Sequence, residues 1–363
     1  MPSKLKTKLT AAFSKVLALL VVVVLSSYFF SMGLGLFLVY VQPQGVEFMT
    51  RQLTALPVSL FMVVNFAIPT GISVGLFFFV LWLLYAGAFV LAWFDRPSFP
   101  SSLRNLVAAR LDMMRSNYLA IMPQVSSMLL VAVVLIQTLQ ESAGVQTGGL
   151  PPEPPILFFF SVSYAALIEE LSYRITTIGL LNGLFLFLKT RKLPWGGGRP
   201  RAVRILLMTM WKPEMAKRHL GVKTIQSSGV VGGISHFEWL LLSVTSLAFG
   251  AAHYLSGGGW EIGKISTAAL SGFAMGFVYL RYGAFAPLLM HWFFNYYFGA
   301  FDLASALKLG GFDAVSGGVE VLNIGAGALF VVVLIGNSRA RLWTLVRRRV
   351  RTQEEGVGRS PNV

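Results

Sequence analysis

The sequence predicts an all-α, polytopic membrane protein with about eight transmembrane helices and both termini cytoplasmic. Three observations predict it. More than half of the 363 residues are hydrophobic and only 12% are charged, with a mean hydropathy of +0.68. Apolar runs of about 20 residues recur along the chain, each long enough to cross a hydrocarbon core of ~30 Å. The basic residues collect in alternate connections, as the positive-inside rule requires of a multi-span chain.

The spans are read at 15–41, 72–94, 118–140, 156–188, 237–256, 264–281, 285–301 and 319–338. The first continues past the length of a signal-peptide core and has no clear small-residue cleavage site, so it reads as a retained anchor. The stretch 52–71 is apolar but interrupted by Pro57, Pro69 and Gly71, and is expected to be interfacial or re-entrant. The spans group into helices 1–3 (1–140), an outer Pro-rich linker (141–155), a core (156–301) and a last helix with a basic tail (302–363). The core includes a long basic inner loop at 189–236, whose "AVRILLMTMWKPEMAKRHL" is amphipathic enough to lie on a membrane surface.

With the N-terminus inside, 26 of the 30 Lys and Arg fall on inner segments, and only Arg51, Lys264 and Lys308 fall outside. Topology therefore accounts for the net charge of +15. Nucleic acid is not an expected partner, because no aromatic stacking pattern accompanies the basic runs. The absence of cysteine excludes disulfides, thiol nucleophiles and Cys-ligated metals.

Three polar clusters fall within spans, where ionisable groups are costly and mark function by default. "ALIEELSYRI" carries Glu169, Glu170 and Arg174; "LAFGAAHY" carries Phe249 and His253; "HWFFNYYF" carries His291 and Asn295. Residues four apart share a helix face, so Glu170 and Arg174 are expected to pair, leaving Glu169 free. Singly, a membrane histidine or asparagine is packing or interhelical glue; their joint occurrence points to a site. His219 and His236 are read as surface residues.

A buried carboxylate can act as general base on water. A histidine can orient that water, and a His and an Asn can donate to the oxyanion that develops. The alternative makes Glu169, His253 and His291 zinc ligands, since two His and one Glu form a known catalytic set. Spacing does not choose between them. A non-enzymatic scaffold or transporter is the third reading, disfavoured for the transporter by the lack of paired inverted repeats. At ~1.5 Å per residue, His253 lies about 24 Å from the inner end of its span and His291 roughly 10 Å from the inner end of its own, a mismatch unless a helix tilts or starts as a surface segment.

"EELSYR", "FGAAH" and "HWFFN" resemble, in order, the E-E-x-x-x-R, F-x-x-x-H and H-x-x-x-N motifs of the type II CAAX prenyl endopeptidase and bacteriocin-processing family of intramembrane glutamate proteases. The resemblance covers about residues 156–301, with Tyr173 where phenylalanine is common. It implies an intramembrane endopeptidase in a cell membrane, expected to be prokaryotic, with a cavity open to the cytosol and no required cofactor. By it Glu169 is the base, His253 helps activate water, and His291 and Asn295 form the oxyanion hole. Glu170 and Arg174 are expected to hold the site, with Phe249 in support. A peptide or lipidated protein, in the CAAX case a prenylated one, is the implied substrate.

Overall fold

In the computed structural model, residues 2–108, 116–150, 152–190 and 199–357 are described. Arg110, Arg115, Pro151, Arg191, Lys192 and Arg359 of the segments discussed above lie outside them.

Each expected span coincides with helix. The runs Ala12–Tyr40, Val74–Phe94, Tyr118–Ser142, Pro155–Thr190 and Phe312–Gly336 are each long and apolar enough to cross a membrane. They lie in α1 (Pro2–Tyr40), α3 (Val74–Phe94), α5 (Tyr118–Ser142), the α6–α7 run and α15 (Phe312–Val357). A short α2 (Pro43–Met49) follows α1, and α4 (Phe99–Val107) follows α3. The pair α10 (Ile225–Gly233) and α11 (His236–Leu255) is long and apolar enough only when taken together, and it is bent by 70° at the break. The other two expected spans are α12 (Gly263–Tyr282) and the consecutive α13 (Phe285–Trp292), π turn (Phe293–Tyr297) and α14 (Phe298–Ala306). Neither passes by length and apolarity alone: α12 carries Lys264 and Arg281 at its ends, and the second run is broken into short pieces.

The stretch left as interfacial or re-entrant is a β-hairpin, the one departure from an all-α chain among the described residues. Strands β1 (Gln52–Leu60) and β2 (Val64–Ser73) pair antiparallel, with Pro57 opposite Ala67 and Ala55 opposite Pro69. Uncharged, β-branched sequence suits a strand. A strand of nine residues reaches about 30 Å, so the hairpin tip can penetrate to mid-depth. Non-helical backbone is tolerated at such depth only where protein buries it or it lines a cavity. Here the tip docks on the α6–α7 run: Phe61 N–H donates to Thr176 Oγ1 at 3.1 Å and Met62 N–H to Ser172 Oγ at 2.9 Å. Tyr164 O–H donates to the Pro57 carbonyl at 2.6 Å. Phe61 and Met62 both hold positive φ, 53° and 66°, a region that non-glycine residues occupy only when surroundings impose it.

The α6–α7 run is wound in three parts: α6 (Pro155–Glu170), a π segment (Leu171–Gly179) and α7 (Leu180–Thr190). Wider winding loosens backbone pairing, and side-chain hydroxyls take up carbonyls. Thr177 Oγ1 donates to Ser172 O at 2.7 Å, and Thr176 Oγ1 lies 2.9 Å from both Leu171 O and Ser172 O.

The basic loop folds onto this run as α8 (Arg199–Trp211), α9 (Pro213–His219) and α10. Gly183 permits the contact, since a Cβ there would meet Thr209 Oγ1 at 2.2 Å. A buried Lys217–Glu238 ion pair (2.8 Å) ties α9 to α11, and Asn182 of α7 donates to the same carboxylate at 3.1 Å. His219 and His236 are exposed, as expected.

The turn between α12 and α13 is buried beneath the α8–α9 junction, where Ala284 N–H donates to Trp211 O at 2.9 Å. The seventh helix therefore begins inside the protein. Counting its depth from a membrane surface was the error behind the mismatch between His253 and His291. Aromatic packing of Trp292, Tyr296 and Tyr297 against Tyr28, Phe78 and Phe89 sets this helix against α1 and α3.

Candidate active site

Glu169 and Glu170 end α6, and the helical twist points them apart. The Glu169 side chain is 30% exposed, whereas Glu170 is 1% exposed, so only the first meets a solvent-filled space. Arg174, equally buried, donates from Nη1 to Glu170 Oε1 at 2.9 Å and from Nη2 to the Gly272 carbonyl at 3.1 Å. The pairing expected from i,i+4 spacing is present. A buried charge pair holds only when further hydrogen bonds satisfy its members, and α12 supplies one through Gly272. The guanidinium also lies over Phe249, 4.5 Å from the ring centroid. That ring packs edge-on against Tyr173 (5.1 Å) and His253 (4.7 Å).

His291 enters between the two glutamates. Its Nδ1 lies 2.9 Å from Glu170 Oε1, and its Nε2 lies 3.6 Å from Glu169 Oε2. Since the Glu170 oxygen also accepts from Arg174, Nδ1 carries the proton of the His291 bond. The sequence reading gives His291 to the oxyanion, or in the alternative to a zinc ion, and does not foresee this bridge. Local spacing holds no trace of it, because the partners are 121 residues apart.

His253 Nδ1 lies 2.8 Å from the Phe249 carbonyl. A carbonyl only accepts, so this nitrogen is the donor and Nε2 is left with its lone pair. Asn295, in the π turn Phe293–Tyr297, donates one Nδ2–H to Val162 O at 2.8 Å, which fixes the amide while leaving its second N–H.

Glu169, His253, His291 and Asn295 line one cavity of about 540 Å³, with Tyr173 and Phe249 beside them. Sequence reasoning missed two parts of its wall. Ser59, Met62 and Asn65 come from the hairpin, and Trp260 and Lys264 come from the α11–α12 connection and the start of α12. The 43-residue stretch between Arg51 and Asp95 contains no charge, which hid the hairpin among the spans. The lining also includes Leu150, Glu153 and Ser256. The cavity thus extends from Glu169 toward the α5–α6 and α11–α12 connections, away from α8 and α9. No group of three His, Cys, Asp or Glu side chains placed to hold a metal ion occurs among the described residues.

No curated protein and no solved structure matches the chain. The family model of type II CAAX prenyl endopeptidases, Rce1-like, matches residues 151–297, a segment that contains all three polar clusters and four of the five elements bringing the cavity residues together. Residues 151–297 therefore match the domain of Rce1-like type II CAAX prenyl endopeptidases, and the activity such a domain carries is that of a membrane protease, a hydrolase.

Proposed function

We propose that the protein hydrolyses a peptide bond within the membrane by a water molecule that Glu169 deprotonates, without a covalent intermediate or a metal. One observation carries this reading: Glu169, His253, His291 and Asn295, from three separate helical runs, line a single cavity. The Glu169 side chain is partly exposed and lines the cavity, which suits a base addressed to substrate water. His253 Nε2, its tautomer set by the Phe249 carbonyl, accepts the water's other hydrogen. The water oxygen bonds to the scissile carbonyl carbon while its proton passes to Glu169. The developing oxyanion receives the free Nδ2–H of Asn295. Collapse breaks the C–N bond, and the proton held by Glu169 moves to the leaving amine.

His291 fits this scheme in a second way. With Nδ1–H committed to Glu170, its Nε2 becomes a donor only after gaining another proton, and Glu169 lies 3.6 Å away. A proton taken from water can therefore be shared by the two residues, and His291 donates to the oxyanion only in the second half of the reaction. The Glu170–Arg174 pair holds its other nitrogen throughout.

The membrane face is that of the α5–α6 and α11–α12 connections, toward which the cavity extends. The charge pattern puts these connections outside, while the family resemblance implies a cytosolic opening. The 26-to-3 distribution of basic residues favours the outer face.

The direct test is cleavage of a prenylated CAAX peptide, alongside a panel of unmodified peptides, by purified wild-type and Glu169→Gln proteins. Cleavage by the wild type and none by the variant, with equal melting temperatures in detergent, is the expected outcome. Full activity in the variant overturns the reading.

A further inference from the structure

Among the described residues, Lys264 is the only lysine or arginine in the wall of the catalytic cavity, facing it together with Glu153, Glu169 and His253. It is the second residue of α12, and its placement is held from both sides. Trp260 pairs with Gly148 in an isolated antiparallel bridge, Glu261 N–H donates to Thr147 O at 2.9 Å, and Gly263 N–H donates to Gln146 O at 2.9 Å. The α11–α12 connection is thus stitched to the α5–α6 connection immediately before Lys264. The ammonium lies 3.8 Å above the centre of the Trp260 ring, a cation–π contact that fixes a flexible side chain without neutralising it. It forms no ion pair among the described residues.

A lysine withdrawn from bulk water into a cavity wall costs free energy unless an anion joins it. Two features distinguish this one from an ordinary surface cation. Glu153 shares the cavity yet is not its partner, and the tryptophan holds the charge at the wall rather than letting it reach out to bulk solvent. His253 is close by, with 6.5 Å between the His253 and Trp260 ring centroids, so a group held at Lys264 is within a few residues of the bond that Glu169 and His253 would address. The anion that a peptide brings to such a place is a carboxylate, at its C-terminus or on an acidic side chain.

Resting on the endopeptidase reading above, we propose that Lys264, steadied by Trp260, is a specificity-determining residue that binds a carboxylate of the substrate peptide. An extended chain advances at most ~3.6 Å per residue, so a fixed anchor measures the distance from carboxylate to scissile bond in whole residues. A site built this way cuts at a set number of residues from the anchored group, and it discriminates against the same peptide with the charge removed.

The experiment compares three matched peptides: a free C-terminal acid, its C-terminal amide, and the amide with one internal glutamate. Each is assayed with wild-type, Lys264→Gln and Lys264→Arg proteins. The wild type is expected to prefer the acid over the amide by roughly 10- to 100-fold in kcat/KM, the range of a charge-assisted hydrogen bond. In Lys264→Gln that ratio falls to about one through KM, and Lys264→Arg restores part of it. A preference that follows the internal glutamate assigns the carboxylate to a side chain instead of the terminus. Equal acid-to-amide ratios in wild type and Lys264→Gln overturn the proposal. If the wild type cleaves none of the peptides, the endopeptidase reading has failed, and the anchor is read separately. Fluorescence-anisotropy binding of the same peptides to the Glu169→Gln protein then has to show the acid preference, and its absence overturns the proposal on its own.

Discussion

His291 bridges the two glutamates, standing 2.9 Å from Glu170 through Nδ1 and 3.6 Å from Glu169 through Nε2. The buried glutamate, tied to Arg174, therefore has a direct line to the exposed one through a ring that can carry a proton. Glu170 is more than an ion-pair partner: it sets which nitrogen of His291 faces the cavity. Replacing His291 with alanine is expected to lower kcat about 100-fold or more, as loss of a proton-transfer group does, with a smaller change in KM. Steady-state kinetics on a cleaved peptide reads this directly, and retention of most of the activity would show the bridge to be structural only.

Arg174 stabilises the site through burial. Arg174→Met leaves the Glu170 carboxylate without its cation and should cost about 3–5 kcal/mol, read as a lowered melting temperature in detergent. Adding Glu170→Gln to that variant removes the stranded charge and is expected to recover a large part of the loss. Activity stays low in both: in the single variant Arg174 no longer holds the carboxylate that positions His291, and in the double variant His291 has lost its charged neighbour. Equal stability of the single and double variants would contradict this account.

The hairpin tip depends on two hydroxyls. Ser172→Ala with Thr176→Val leaves the Phe61 and Met62 N–H groups unpaired, at about 1–3 kcal/mol for each buried donor. Two residues at positive φ then have nothing to hold them. Hydrogen exchange should rise across residues 56–66 while α3 and α5 keep their protection. An unchanged hairpin would mean that packing alone holds the turn.

The absence of cysteine makes the facing of the cavity directly measurable. Glu153→Cys and Ser256→Cys are each expected to react with a membrane-impermeant maleimide added outside intact cells. Lys223→Cys, exposed in the α9–α10 connection, is expected to react only after lysis. The opposite pattern would place the site at the cytosolic face and show that the basic segments are not the inner ones.

Metal independence is the remaining contrast between the two hydrolytic schemes. Activity is expected to persist in the presence of 1,10-phenanthroline, with purified protein carrying well under one zinc per chain by mass spectrometry. Stoichiometric zinc with loss of activity on chelation would favour the metal-dependent scheme, in which Glu169, His253 and His291 are the ligands.

The residues that meet in the cavity were legible in the sequence because they are types that membrane helices otherwise avoid, and because i,i+4 spacing is a local property. Glu170–Arg174 and the shared cavity of Glu169, His253, His291 and Asn295 follow from that. What local spacing cannot carry is contact between distant segments. The Glu170–His291 bond, the Lys217–Glu238 pair and the Gly272 carbonyl under Arg174 all lie in this class. The hairpin was hidden for a different reason: an uncharged apolar strand at membrane depth has the composition of a helix, and only Pro57 and Pro69 hinted otherwise. The depth of His291 was misjudged because the α12–α13 turn is buried under α8 and α9 rather than lying at a surface.

The π segment Leu171–Gly179 also sets the phase of everything that follows it. An α-helix turns about 100° for each residue and the wider π winding turns less, so rewinding the same residues as α-helix with none deleted would swing α7 by roughly that angle. Asn182 would leave Glu238, Gly183 would leave Thr209, and the basic segment folded over them would lose its seat. The glutamates and the arginine would still be spelled in the same order, beside a helix rotated out of register with its neighbours. A one-residue deletion in 171–179, which lets the segment rewind with α7 in phase, set against a one-residue insertion, which does not, would thus separate the motif as letters from the motif as geometry.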